Sequence, residues 1–250
     1  MGYLDEKGYV SQIQSFSVND GEGIRTTIFL SGCPLRCKWC CNPETWTINP
    51  KIAQLSVKEV LQRVKRDIIF FRESGGGITF SGGEATFQQS FLRALVNVHE
   101  EIGVDMAIET SGYFIWDQVK DVMEKLDFIF VDLKHMNSKK HHELTGVDNK
   151  LILENIEKIG NLNKAVVVRI PLVKGINDDE ENISSTAKYV KQYVPGGKIE
   201  ILPYHNLGEK KYETMRLDKF KNVFNTPSRE EINAVKEIIR STGVEIIDYK

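Results

Sequence analysis

Cysteine is almost absent from this chain: 250 residues hold 4 Cys, and all of them fall between positions 33 and 41. Cysteines crowded into one short stretch do not staple a fold by disulfides. No second pair stands elsewhere to complete a tetrahedral zinc knot, the plainer use of closely spaced thiols. Long apolar runs are missing too. No stretch is long enough to span a bilayer, and residues 1–10 are polar and mixed in charge, unlike a secretory signal, so the expected location is the cytoplasm. Nor is there an excess of one charge. Lys+Arg 33 against Asp+Glu 35 gives a net charge of -2, which excludes a broad attraction to nucleic acid or to an anionic membrane. Without a Pro/Gly/Ser-rich linker, low-complexity tract or internal repeat, the chain is expected to form one domain over 1–250.

What is present describes a soluble globular protein, 41% hydrophobic and 27% charged, long enough to bury a full core without help from metal or disulfides. Short apolar runs alternate with helical patterns. Strands are expected over 26–30, 77–81, 106–110, 128–133, 165–170 and 199–202, with 244–247 as a last one and 9–16 as an N-terminal strand or hairpin within the extension 1–24. Helices are expected over 87–102, 115–126, 151–162 and 180–193. Two more begin where Ser56 precedes Glu59 and Ser228 precedes Glu231, the spacing of a capping box. Strand-helix alternation implies an α/β fold with a parallel sheet and right-handed crossovers over 25–250. Six repeats are fewer than the eight of a closed barrel. Both an open, partial (β/α)6 barrel and a flat doubly wound sheet satisfy the pattern.

On this scaffold the unusual polar residues gather at the C-terminal ends of strands, the edge where parallel α/β proteins build their sites. The cysteines follow the first strand, Ser81-Gly82-Gly83-Glu84 the second, and Glu109-Thr110 end the third. Asp132 and Lys134 end the fourth, Arg169 lies in the fifth, and Pro203-Tyr204-His205 follow the sixth. Each has a plainer reading alone: Glu84 favours a helix N-terminus, Asp132 and Lys134 share a strand face as an ion pair, and His205 is a loop histidine. The Gly82-Gly83 pair lets a ligand approach the backbone but lacks the Lys and Ser/Thr of a phosphate loop. In Cys33-Pro34-Leu35-Arg36-Cys37-Lys38-Trp39-Cys40 the spacing suits three corners of a cubic [4Fe-4S] cluster. Cys41, adjacent to Cys40, is poorly placed to reach the fourth corner, so one iron is left open for chemistry.

These residues resemble the radical S-adenosylmethionine enzymes, and among them the glycyl-radical-enzyme activating enzymes of the pyruvate formate-lyase type. The likeness runs through Asn19-Asp20-Gly21-Glu22-Gly23-Ile24-Arg25, the cysteine loop with Cys41-Asn42-Pro43-Glu44, residues 75–84, Asp132-Leu133-Lys134 and Leu202-Pro203-Tyr204-His205. It implies a single-domain, partial (β/α)6 TIM-like barrel with one [4Fe-4S] cluster at its mouth. Cys33, Cys37 and Cys40 would hold three irons, and S-adenosylmethionine would chelate the fourth. Trp39 matches the position beside the adenine. Gly82, Gly83 and Glu84 match the segment that receives the methionine amino group, and Asn42, Asp132, Lys134, Arg169 and His205 match further positions around the cofactor. Glu109, Thr110 and Asp132 match a monovalent-cation site, with Glu109 standing where the typical member has Asp. Asp20 would help hold the partner's glycine segment.

The implied activity is that of an oxidoreductase. Reductive cleavage of S-adenosylmethionine yields a 5'-deoxyadenosyl radical that takes a hydrogen from a glycine of a partner such as pyruvate formate-lyase or a related dehydratase or lyase. Flavodoxin or ferredoxin would be the reductant, the enzyme a monomer, and its setting anaerobic. The Cys41-Asn42-Pro43-Glu44 stretch leans toward the dehydratase and lyase activases, although the ferredoxin-like insertion that many of those carry is missing. Three rival readings stay open at this point: another radical reaction on the same scaffold, such as activation of anaerobic ribonucleotide reductase or modification of a small molecule; an iron-sulfur electron carrier; and a zinc-stabilised binding module.

Overall fold

The computed structural model describes residues 2–217 and 221–249. Six parallel strands follow one another across a sheet in chain order: β2 (Arg25–Leu30), β4 (Gly77–Gly82), β5 (Asp105–Thr110), β6 (Phe128–Asp132), β7 (Ala165–Leu172) and β8 (Lys198–Pro203). A doubly wound sheet reverses its order at a switch point. This one never reverses, so the winding is that of a barrel. It stays open. Beyond β2, β1 (Lys7–Ser17) pairs antiparallel and carries β3 (Ala53–Ser56) on its far side, while β9 (Ile246–Ile247) adds to β8 at the other edge.

The two-residue period of the strands sorts their side chains. Ile28, Ile78, Phe80, Ile108, Ile129, Val131, Val168 and Ile199 are buried in the main core beneath the helices. The concave face carries a small apolar floor of Ala107, Phe130 and Val167 with Phe128, Ile247 and Tyr249 against it. Above that floor the concave side chains turn polar. Residues 19–25 are tied into this interior: Arg25 donates through Nε to Thr79 Oγ1 at 2.8 Å and through Nη2 to the Ile78 carbonyl at 2.6 Å, and pairs with Asp105 at 2.7 Å. Thr79 in turn donates its hydroxyl to the Asp20 carbonyl at 2.8 Å.

Both capping boxes form, opening α1 (Val57–Val64) and α9 (Arg229–Ser241). The helices α3 (Gln89–Glu101), α6 (Lys150–Gly160) and α7 (Glu180–Tyr193) stand where periodicity puts them. The expected helix over 115–126 is broken: a 3-10 turn, Trp116–Gln118, is separated from α4 (Lys120–Met123) by Val119 at φ -138°. Three short helices carry no readable helical period: α2 (Ile68–Ser74) opens on an unbroken apolar run, and α5 (Ser138–Thr145) and α8 (Glu209–Thr214) are mostly polar. Among the described residues, no helix is long and apolar enough to cross a membrane.

Candidate active site

The cysteine loop leaves β2 and is fastened from two sides. Gly32 N–H donates to the Thr45 carbonyl at 2.7 Å, and the N–H groups of Arg36 and Lys38 donate to the Thr145 and Leu144 carbonyls at 2.7 and 3.0 Å. Those acceptors are the last carbonyls of α5, which a helix leaves unpaired. Beneath the loop, Gly83 lies so close that a Cβ would stand 2.6 Å from the Gly32 oxygen, 2.8 Å from the Thr45 oxygen and 3.0 Å from Cys33 Cβ.

Cys33, Cys37 and Cys40 all line one cavity of about 660 Å³ at the C-terminal ends of the strands. Burial pushes each of these thiols up to about 12. Thiols in so dry a place become thiolates when a metal supplies positive charge. Among the described residues no three His, Cys, Asp or Glu side chains are grouped around a single ion. The three thiols share one cavity, as the three protein ligands of an open-cornered cluster must. Cys41 lines the same cavity, and burial raises its thiol against the pull of Lys211.

Opposite the loop the wall is ionic. Lys134 Nζ pairs with Asp132 at 2.6 Å. Burial favours the neutral amine, but Asp132 outweighs it and holds Lys134 protonated. Deeper in, Arg169 lies 3.6 Å above the Phe130 ring centroid, donates through Nε to Glu200 at 2.6 Å and through Nη1 to Glu109. Burial works against this guanidinium too, and the two carboxylates hold it charged. The same burial raises Glu109, opposed by Arg169. A buried arginine held in this way is fixed in place, because losing either carboxylate strands a charge.

Most of the residues singled out from sequence meet at this cavity. Trp39, Asn42, Gly82, Gly83 and His205 line it, as do Glu109, Thr110, Asp132, Lys134 and Arg169. Two stand outside the lining. Glu84, 1% exposed, is enclosed by the N–H and hydroxyl groups of Thr86 and Ser111 and the hydroxyl of Thr110. Asp20 accepts from the hydroxyls of Ser17 and Thr27. The side chains expected to share a cation are each engaged by a different partner: Glu109 by Arg169 and Ser81, Thr110 by Glu84, Asp132 by Lys134.

Sequence reasoning passed over Asn19, Glu200 and Tyr249, which also line the cavity. Glu200 left a signal, a lone acid inside the apolar run Ile199-Glu200-Ile201-Leu202. Asn19 left one as well, as the first residue of the 19–25 stretch, but Tyr249 left none, since only the folded chain brings it to this cavity.

Comparison with known proteins agrees with this geometry. The model of the radical SAM superfamily matches residues 27–187. The 4-hydroxyphenylacetate decarboxylase activating enzyme of Clostridioides difficile is 36% identical, over 82% of this chain and 84% of its own. The pyruvate formate-lyase-activating enzyme of Staphylococcus epidermidis is 35% identical over 94% of each chain. A solved domain of the pyruvate-formate lyase-activating enzyme from Bacteroides vulgatus superposes with a TM-score of 0.56 at 30% identity, covering 69% of this chain and 98% of that one. The chain belongs to the radical SAM superfamily and, within it, to the glycyl-radical-enzyme activating enzymes.

Proposed function

We propose that this protein activates a glycyl radical enzyme of the lyase, dehydratase or decarboxylase kind by taking a hydrogen atom from a glycine of that partner. The observation that carries the reading is the meeting of three thiols with an ionic wall in one cavity at the strand ends. Cys33, Cys37 and Cys40 hold the [4Fe-4S] cluster. Cluster and S-adenosylmethionine together supply the one-electron chemistry. The chain's own residues bind, orient and keep water out. Lys134, held protonated beside Asp132, sets a positive charge against the cluster thiolates and offers a donor to the cofactor's carboxylate. Arg169, pinned by Glu109 and Glu200, forms the rigid base on which the cofactor rests. Trp39, half-buried and edge-on to Phe224 at 6.3 Å, supplies the flat surface for the adenine. Gly82 and Gly83 bring backbone to the cofactor's amino group, with Glu84 bracing that segment from behind.

Asp20, fixed by the hydroxyls of Ser17 and Thr27, helps hold the glycine segment of the partner. A low-potential flavodoxin or ferredoxin supplies the electron, and the protein works as a monomer in an anaerobic cytoplasm. A monovalent cation at Glu109, Thr110 and Asp132 requires those side chains to leave their present partners. Spin resonance tests the reading: anoxic protein, reductant and S-adenosylmethionine are mixed with pyruvate formate-lyase or with 4-hydroxyphenylacetate decarboxylase. A glycine-centred radical with one of them supports the proposal. Cofactor cleavage with no such signal from any glycyl radical enzyme encoded beside this gene favours a small-molecule reaction instead.

A further inference from the structure

The segment after β8 returns to the cysteine loop, and several of its contacts fall on residues 40–46. Gly208 lies against Cys41: a Cβ there would stand 2.7 Å from Cys41 Cα and 3.3 Å from the Cys40 oxygen. Tyr212, 4% exposed, donates its hydroxyl to the Cys40 carbonyl at 2.9 Å and sets its ring edge-on to Trp46 at 5.8 Å. Lys211 Nζ donates to Asn42 Oδ1 at 2.8 Å and pairs with Glu44 Oε1 at 2.5 Å.

The Lys211 contact decides more than it first shows. The two ends of an asparagine amide are hard to tell apart by shape, and their assignment rests on hydrogen-bond partners. An ammonium donates and never accepts, so the end of Asn42 that faces Lys211 is the carbonyl oxygen. Asn42 also lines the cavity. With its oxygen committed to Lys211, the amide presents N–H to whatever the cavity holds.

We infer that α8 clamps the last cluster ligand through Tyr212, and that Lys211 is a positioning residue that fixes Asn42 as a hydrogen-bond donor to S-adenosylmethionine. The inference rests on the reading that this cofactor fills the cavity. Lys211 touches neither cofactor nor cluster; it acts through Asn42 and Glu44. Tyr212 acts through the Cys40 backbone.

Steady-state activation and iron retention test the two halves separately. Lys211→Met lets the amide turn, and the KM for S-adenosylmethionine rises about tenfold, the range of one hydrogen bond to a charged or strongly polar group, while kcat holds within about twofold. Lys211→Arg keeps a donor there and restores most of the affinity. Asn42→Asp keeps the Lys211 contact but turns an acceptor into the cavity, so KM rises again. Iron loss to a chelator, measured without substrate, speeds up in Tyr212→Phe and stays at the wild-type rate in Asn42→Asp. An unchanged KM in Lys211→Met, or a fall in kcat alone, overturns the positioning role; an unchanged chelation rate in Tyr212→Phe overturns the clamp. If the wild-type cluster spectrum ignores S-adenosylmethionine, the cofactor reading falls and the Asn42 role with it, while the chelation rates still decide the clamp.

Discussion

Adding one methyl group at Gly83 separates the demands of the cluster loop from those of the backbone. A Cβ there meets two backbone oxygens, Gly32 at 2.6 Å and Thr45 at 2.8 Å, and Cys33 Cβ at 3.0 Å. None of these is the far end of a flexible side chain, so the methyl finds room only by moving the strand ends or the loop that carries Cys33. Overpacking of this kind costs about 1–3 kcal/mol, and the rigid neighbours put Gly83→Ala near the top, about 3 kcal/mol. The control is Gly103→Ala. Gly103 has φ +65° and nothing within 4 Å of its would-be Cβ, so only the left-handed backbone is penalised, about 1–2 kcal/mol. Cluster-free proteins are unfolded in urea and the same preparations are then reconstituted anoxically and assayed for iron. The expected result is a larger drop in midpoint for Gly83→Ala together with a loss of bound iron, against a smaller drop and full iron for Gly103→Ala. Wild-type iron and stability in Gly83→Ala, or iron loss in Gly103→Ala, refutes the reasoning.

Further outcomes follow from the buried charges and the thiols. Arg25→Met leaves the buried Thr79 hydroxyl and Ile78 carbonyl without their donor, while half-exposed Asp105 turns to water, so it destabilises by about 1–3 kcal/mol, whereas breaking the exposed Arg93 and Asp121 pair costs under about 1 kcal/mol; urea midpoints compare the two. Burial holds His99 down to about 4, against an ordinary 6.5, with Leu95 accepting from its Nδ1. Because the unfolded chain binds the extra proton first, stability is full above 6.5 and falls as pH drops toward 4, by about 3 kcal/mol in all; thermal melts across that window detect it, and His99→Phe removes the step. Ser in place of Cys33, Cys37 or Cys40 abolishes cluster retention, while Cys41→Ser keeps the full iron content, as counted by iron and sulfide assay.

Apolar runs located six parallel strands because a strand covered on one face by helices and on the other by a barrel floor has few polar positions to spare. Their order across the sheet was not legible, and it is the order that selects a barrel over a doubly wound sheet. The cysteines were legible because their chemistry needs a fixed local spacing. The state of Glu84 was not: its partners Thr110 and Ser111 lie on the neighbouring strand end, so only sheet pairing reveals that it is enclosed. Arg169 illustrates the same limit, as Glu200 is its register partner on β8 while Glu109 reaches it from β5. Helix α8 is six residues with one buried side chain, Tyr212, too short for periodicity to mark, yet it touches the cluster loop.

Mössbauer spectroscopy of the anoxically reconstituted protein, with and without S-adenosylmethionine, addresses the open iron directly. The account predicts one cluster per chain in which a single iron site changes its isomer shift when the cofactor is added, with the other three sites unmoved. A cluster whose four sites ignore the cofactor, or a lone metal ion in place of a cluster, contradicts it.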